Sequence, residues 1–191
     1  MKKVLFIRHG ATAGNLEKRY IGRTDEPLCA QGKAQVNRLA LLGLRADVLF
    51  VSPARRTRET AAVLFPQLQA RVIPDFWETD FGAFEGKTAE ELSGDPAYRA
   101  WLDTGCQGPI PGGETVEGFK ARCRAAFTQA METVPQGGTA AFVLHGGVIM
   151  AISEAFVHPV GSFYSYHLEP GSFTFWCFQE GRLESLLSLQ A

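Results

Sequence analysis

The segment Lys3-Val4-Leu5-Phe6-Ile7-Arg8-His9-Gly10 decides how the rest of the chain is read. Its apolar run from Val4 to Ile7 is short and unbroken, the pattern of a strand covered on both faces. The run ends on a guanidinium, an imidazole and a glycine, so reactive groups stand where the strand would finish. The same arrangement returns later: Thr139 to Leu144 reads as a second buried strand, and His145-Gly146-Gly147 follows it directly. In open parallel sheets ligands bind beyond the carboxyl ends of the strands, so the two histidines are expected to converge there. A glycine after each histidine lets the backbone turn sharply and brings main-chain N–H groups near an anion.

Between and beyond these anchors the hydrophobic pattern alternates between helix and strand. Gln31 to Leu44 has helical spacing at Val36, Leu39, Ala40 and Gly43. Asp47 to Val51 is an apolar run ending at Ser52-Pro53, Arg56 to Leu64 a second helix stopped by Pro66, and Ala70 to Ile73 a short third strand. From Asp75 to Gly113 the chain becomes dense in Gly, Pro and aromatic residues, with short helical candidates around Ala89 to Leu92 and Ala97 to Asp103. That stretch reads as an excursion packed above the sheet. Glu114 to Val134 is a long amphipathic helix with Phe119, Cys123, Ala126, Phe127 and Met131 along one stripe, and Gly147 to Phe156 is another helix. Phe173 to Phe178 and Leu183 to Leu189 flank the turn at Gln179-Glu180-Gly181-Arg182, a hairpin at one edge. The succession predicts a three-layer α/β/α fold. Its central sheet is mostly parallel, with one antiparallel edge hairpin and a small helical and loop insert over the active site.

Bulk properties narrow the class of function. The 191 residues suit one domain, and 46% hydrophobic with 20% charged residues is a globular rather than a disordered balance. A net charge of −1 without a basic run argues against a nucleic-acid partner. The apolar stretch after Met1-Lys2-Lys3 stops at Arg8, too soon for a signal peptide, and no later segment has the length of a membrane span. Cys29, Cys106, Cys123 and Cys177 are scattered without a C-x-x-C pair and read as packing thiols in a reducing compartment. The expectation is a cytoplasmic protein with no membrane partner; monomer and homodimer stay equally open.

Two further elements join the histidines. Ser52-Pro53-Ala54-Arg55-Arg56 follows a strand and opens a helix, so it can bring an arginine to the same edge, where a helix N-terminus favours an anion. Glu78 stands in Trp77-Glu78-Thr79-Asp80-Phe81-Gly82-Ala83-Phe84-Glu85-Gly86, at the start of the insert. Two histidines, two arginines and a carboxylate form a kit for phosphate. Guanidiniums match its oxygens, a neutral imidazole attacks phosphorus, and a carboxylic acid protonates the departing oxygen. The blander readings are structural histidines at strand ends, an arginine that only anchors a helix, and a solvated loop carboxylate, with Asp80 and Glu85 as rivals to Glu78. Trp77, Phe81, Phe84 and Trp101 read as packing of the insert or as a wall for a bulky leaving group. His9, His145 and Glu78 could bind zinc. However, H-E-x-x-H, paired cysteines and aspartate clusters are lacking in the sequence, so neither metal nor cofactor is expected. None of the four cysteines has an arginine six positions later, and G-x-x-x-x-G-K-[ST] does not occur. Cysteine-based phosphatase and P-loop chemistry are thereby excluded.

The ordered motifs resemble those of the histidine phosphatase superfamily, which includes the cofactor-dependent phosphoglycerate mutases. They are Arg8-His9-Gly10 through Thr12 to Asn15, Tyr20 through Leu28 with Gln31-Gly32, Ser52 through Ala61, Glu78 with Phe81-Gly82 and Glu85-Gly86, Pro111-Gly112-Gly113-Glu114, and His145-Gly146-Gly147. The resemblance implies a single phosphoglycerate mutase-like domain over 1–191 with an insert at about 75–113. It implies that His9 becomes phosphohistidine, that Arg8, Arg56 and His145 complete the phosphate pocket, and that Asn15, the backbone near Gly22 and Gly146 bind substrate. Glu78 would be proton donor, then base. The lack of an arginine-rich insert points to a phosphomonoesterase acting on a small phosphate ester. Tyr20 to Leu28, Phe81 to Gly86 and Pro111 to Glu114 look most like the α-ribazole phosphatase branch, which serves cobalamin assembly. The alternatives are a phosphoglycerate mutase and a catalytically silent phosphate-binding protein. Ala11, Trp77 and Met150 depart from residues frequent in the family, an acid and two arginines, and bear on specificity.

Overall fold

Val4, Leu5, Phe6 and Ile7 are all fully buried, because the strand that holds them, β1 (Lys2–Arg8), has neighbours on both sides and helices on both faces. The computed structural model describes residues 1–185. After β1 come α1 (Ala13–Leu16), α2 (Ala30–Ala40), β2 (Val48–Val51), α3 (Arg55–Leu64) and β3 (Ala70–Val72). The second half contributes α4 (Pro96–Asp103), α5 (Val116–Glu132), β4 (Thr139–Leu144), α6 (Gly146–Phe156), β5 (Phe173–Gln179) and β6 (Arg182–Ser185). Short 3-10 turns cover Pro74–Phe76, Gly82–Phe84 and Phe163–Tyr166.

The strands form one sheet in the order β3-β2-β4-β1-β5-β6. The pairs β1–β4, β2–β4 and β2–β3 are parallel, and β5 and β6 add an antiparallel edge. Side chains alternate between two layers, as strand geometry requires. Val4, Phe6, Phe50 and Phe142 pack with Phe119, Phe127 and Ile149 of α5 and α6. Leu5, Ile7, Leu49, Val51 and Val143 pack with Val36, Leu39, Ala61 and Leu64 of α2 and α3. The expected α/β architecture, mostly parallel with one antiparallel edge, is what the chain adopts.

Some local expectations change. Ala89 to Leu92 forms a turn, not a helix. Thr88 and Glu91 exchange side chain–backbone bonds there, and Gly94 with the Pro96 that opens α4 leaves room for one turn only. The short α1 has no apolar periodicity to announce it; it rests on a capping box between Thr12 and Asn15. The strand expected over Leu183 to Leu189 is β6 in its described part, and its last four residues lie outside the described residues. Between β3 and α5 the chain builds its own small core from Phe84, Leu92, Tyr98, Trp101 and Ile110. Among the described residues no helix is long and apolar enough to cross a membrane.

Candidate active site

Register alone brings three sequence motifs together. Arg8 pairs with Leu144, and Val51 with Val143, so His9, His145 and Ser52 leave three adjacent strand ends side by side. His9 is tied to β4 by its N–H, which donates to the Leu144 carbonyl at 3.1 Å. The turn after His9 depends on Gly10, where an added Cβ would lie 2.6 Å from the Gly32 carbonyl oxygen and 2.7 Å from Val36 Cγ2 of α2.

His9 is 3% exposed and its Nδ1 lies 2.8 Å from the Gly10 carbonyl oxygen. A carbonyl only accepts, so Nδ1 carries the proton and Nε2 of the neutral ring has a free lone pair. Burial first, then the Arg56 and Arg8 guanidiniums, hold the His9 pKa well below the ordinary imidazole value, outweighing the Gly10 bond that favours protonation. The ring is therefore a ready nucleophile at neutral pH.

Arg56 is 1% exposed. Its Nη1 donates to the Thr24 carbonyl at 2.7 Å, Nη2 to the Gly22 carbonyl at 3.0 Å, and Nε to His145 Nδ1 at 3.3 Å. Because Nδ1 of His145 accepts, its Nε2 bears the proton and donates to Ser52 Oγ at 2.7 Å. His145 thus sits 5.2 Å, centroid to centroid, from His9, yet both its nitrogens are spent within the protein. An N–H bond from it to a phosphoryl oxygen requires exchanging one of them. Burial, Arg56, His9 and Arg8 all lower its pKa well below the ordinary value. The α3 N-terminus, expected to face an anion, is taken instead by Asp25, whose Oδ1 accepts from the Arg55 N–H at 2.6 Å.

Arg8 Nη1 donates to the Leu168 carbonyl at 2.6 Å, while its buried Nε has no hydrogen-bond partner among the described residues. Neither guanidinium, Arg56 buried and Arg8 half-buried, bonds a carboxylate, so the cradle holds positive charge that a phosphoryl dianion would complement. Gly146 and Gly147 act by clearance. A Cβ on Gly146 would come within 3.2 Å of Arg8 Cζ, and one on Gly147 within 3.0 Å of Glu78 Cδ. Glu78 is 9% exposed; its Oε1 accepts from the Thr79 N–H at 2.9 Å and its Oε2 from the Gly147 N–H at 2.8 Å.

The rivals to Glu78 have other tasks. Asp80 Oδ1 accepts from the Gly82 N–H, and Glu85 Oε1 accepts from the N–H groups of Gly22 and Thr24 and the Thr24 hydroxyl. The Gly22 N–H, expected near the phosphate, is therefore already bonded, and Gly22 serves Arg56 through its carbonyl. Asn15 spends its Oδ1 on the Thr12 N–H in the α1 cap. Arg55 and Arg58 are exposed on α3.

A cavity of about 360 Å³ opens beside Arg8, Glu78, Gly146 and Gly147, walled by Tyr20, Phe81, Trp101, Ile110, Phe119, Met150, Phe163 and Tyr164. Among the described residues Arg8 is the only arginine or lysine lining it. Of the aromatic run, Phe84 is core, Phe81 and Trp101 face both core and cavity, and Trp77 lies parallel to His145 with Arg23 over its ring. A hollow of about 490 Å³ at the amino ends of β2 and β3 contains none of these groups. Among the described residues no three His, Cys, Asp or Glu side chains are arranged to hold a metal ion.

Three contributors went unrecognised in the sequence. Ser52 was legible as part of its motif but not as the partner of His145. Glu114 stood in a noted motif without a role, and Arg122 looked like any polar residue of an amphipathic helix.

Comparison with known proteins places this geometry. The sequence profile described as Histidine phosphatase superfamily (branch 1) matches residues 4–189. The chain is 34% identical over 155 residues to Salmonella typhi "Probable phosphoglycerate mutase GpmB", covering 76% of this chain and 70% of that protein. The crystal structure of phosphoglycerate mutase from Thermus thermophilus superposes with a TM-score of 0.73 at 31% identity, covering 95% of each chain. The α-ribazole phosphatase from Shigella flexneri superposes at 0.85 with 23% identity, over 95% of this chain and 93% of the other, a likeness of fold.

Proposed function

Because the chain belongs to the histidine phosphatase superfamily, branch 1, we propose that it is a phosphomonoesterase that takes the phosphoryl group onto His9 and passes it to water. Nε2 of His9 attacks phosphorus as the bond to the ester oxygen breaks, and Glu78 gives that oxygen its proton. Water then attacks phosphohistidine, returning a proton to Glu78, and phosphate leaves. Arg8 and Arg56 bear the charge of the equatorial oxygens throughout.

The observation that carries this reading is the neutral, tautomer-fixed His9 set against two guanidiniums, Arg56 and Arg8, that bond no carboxylate. The cavity supports hydrolysis of an ester with a bulky, largely apolar leaving group. Met150 and aromatic rings line it, and Arg8 is its sole arginine or lysine. A mutase needs its bisphosphorylated intermediate gripped at a second anionic end, and among the described residues no second arginine or lysine lines this cavity. α-Ribazole 5′-phosphate, an aromatic nucleotide, is a candidate substrate.

The test is rapid-quench labelling with a panel of phosphomonoesters that includes α-ribazole 5′-phosphate and 3-phosphoglycerate. An acid-labile, base-stable phosphoenzyme should form, vanish in His9→Ala, and decay to inorganic phosphate. Interconversion of 3- and 2-phosphoglycerate, stimulated by the 2,3-bisphosphate, would replace the phosphatase reading with the mutase one. Turnover without a phosphoenzyme would end both.

A further inference from the structure

On the insert side of the site one side chain makes more polar contacts than any proposed catalytic group, although it does not line the cavity. Arg122, in the body of α5, directs Nη1 to the carbonyls of Asp75 at 2.6 Å and Trp77 at 2.7 Å. Its Nη2 goes to the Glu78 carbonyl at 3.1 Å and Glu114 Oε1 at 2.6 Å, and its Nε to Glu114 Oε2 at 2.9 Å. A guanidinium has five N–H donors, and here each has an acceptor. Glu114 Oε1 also receives the Asp80 N–H at 2.8 Å. The pair therefore grips the backbone at 75, 77, 78 and 80, on both sides of Glu78.

We infer that Arg122, buttressed by Glu114, is the positioning residue that fixes the general acid Glu78 against the departing oxygen; this rests on the phosphatase reading of Glu78. Among the described residues, the Glu78 side chain is hydrogen-bonded at its far end only by the Thr79 and Gly147 N–H groups. Its aim therefore follows the backbone that bears it, and Arg122 holds that backbone. The clamp stands on α5, whose Phe119, Cys123 and Phe127 are anchored in the main core. The acid is thereby referenced to the frame that carries His9. The planar fork explains the choice of arginine: a lysine ammonium offers three donors from a single point and cannot reach three carbonyls and a carboxylate together.

Arg122→Met, Arg122→Lys and Glu114→Gln are compared by steady-state kinetics on p-nitrophenyl phosphate and on alkyl phosphates, alone and combined with Glu78→Gln. A misaimed acid harms poor leaving groups selectively. The alkyl esters should lose roughly 10- to 100-fold in kcat, and the nitrophenyl ester about threefold, with vanadate inhibition retained. Lysine should not rescue, and in the Glu78→Gln background the Arg122 variants should add no further loss. Arg122→Lys and Glu114→Gln carry the same test should the methionine variant not fold. Equal losses on both ester classes, additive with Glu78→Gln, would reduce Arg122 to a structural residue and overturn the inference. A Glu78→Gln enzyme indifferent to leaving group would instead remove the acid role of Glu78 itself, which separates that failure from failure of the clamp.

Discussion

Gly147→Ala isolates the placement of the acid from its identity. A Cβ at this position would stand 3.0 Å from Cδ and 3.2 Å from Oε2 of Glu78, and nearer still to Oε1. The obstacle is a side-chain end rather than backbone, so the fold yields easily and the carboxyl moves. Relief of the contact takes roughly 1 Å, a misplacement that costs about 100-fold in a positioned catalytic group. The new alanine lies in the first turn of α6, where it is a better helix former than glycine by up to about 1 kcal/mol. Stability should therefore hold or rise while activity falls. The assay is kcat/KM on alkyl against nitrophenyl phosphates, with a thermal melt as control. Alkyl esters should drop by about 100-fold and nitrophenyl phosphate by much less, because its phenolate leaves without a proton. Equal losses on the two ester classes, or none, would refute the claim that Glu78 donates from the position seen here.

Gly32→Ala should behave oppositely. Its Cβ would meet the Ala11 backbone, with the nitrogen 2.7 Å and the carbonyl carbon 2.8 Å away, and backbone cannot swing aside. Overpacking of about 1–3 kcal/mol should appear in denaturant melts despite the better helix former; an unchanged midpoint would contradict the close approach. Because the His9 pKa is lowered, single-turnover phosphoenzyme formation from nitrophenyl phosphate should stay level as pH falls through the ordinary imidazole value and decline only well below it. A midpoint at or above that value would sink the buried, neutral His9. The same sign governs stability. With His9 and His145 both depressed, the unfolded chain binds protons the native one refuses. Each residue should then cost about 1.4 kcal/mol per pH unit below the ordinary imidazole value, and nothing above it. His145→Asn should remove about half of that slope, and a slope unaltered in the variant would contradict the assignment. Ser52→Ala strands the buried Nε2–H of His145 and should cost about 1–3 kcal/mol of stability; an unaltered melt would contradict that hydrogen bond.

What the sequence disclosed follows from how far each signal reaches. The buried runs at Val4 to Ile7 and Thr139 to Leu144 needed no partner to be recognised, since their unbroken apolar character already states that both faces are covered. The convergence of Arg8, His9, Arg56 and His145 was legible because motifs at strand ends inherit their neighbours from sheet order, whereas Glu78, in the insert beyond β3, followed only from the resemblance. The bonding of those groups was not. Whether the Gly22 N–H faces a phosphate or Glu85, and whether the α3 N-terminus faces an anion or Asp25, depends on contacts between segments 63 and 30 residues apart. Periodicity says nothing about such contacts. Arg122 was hidden for a related reason. An arginine on an amphipathic helix carries the same pattern whether its head is in water or clamps three carbonyls.

The site also divides by origin, and the division has a consequence. His9, Ser52 and His145 come from strand ends and Arg56 from the helix after β2, so the group proposed to hold the phosphoryl moiety is fixed by the sheet. Glu78 and most of the cavity wall come from the segment between β3 and α5 and from the turns before β5. On the phosphatase reading, a substitution in the wall, at Trp101 or Phe163, should alter the fit of the leaving group without touching the attack on phosphorus. A change at the strand ends alters every ester alike. Specificity and chemistry are then carried by different parts of one chain, joined where Arg122 of α5 holds the backbone of Glu78. The strength of that joint decides how far the wall can be rebuilt before the acid loses its aim.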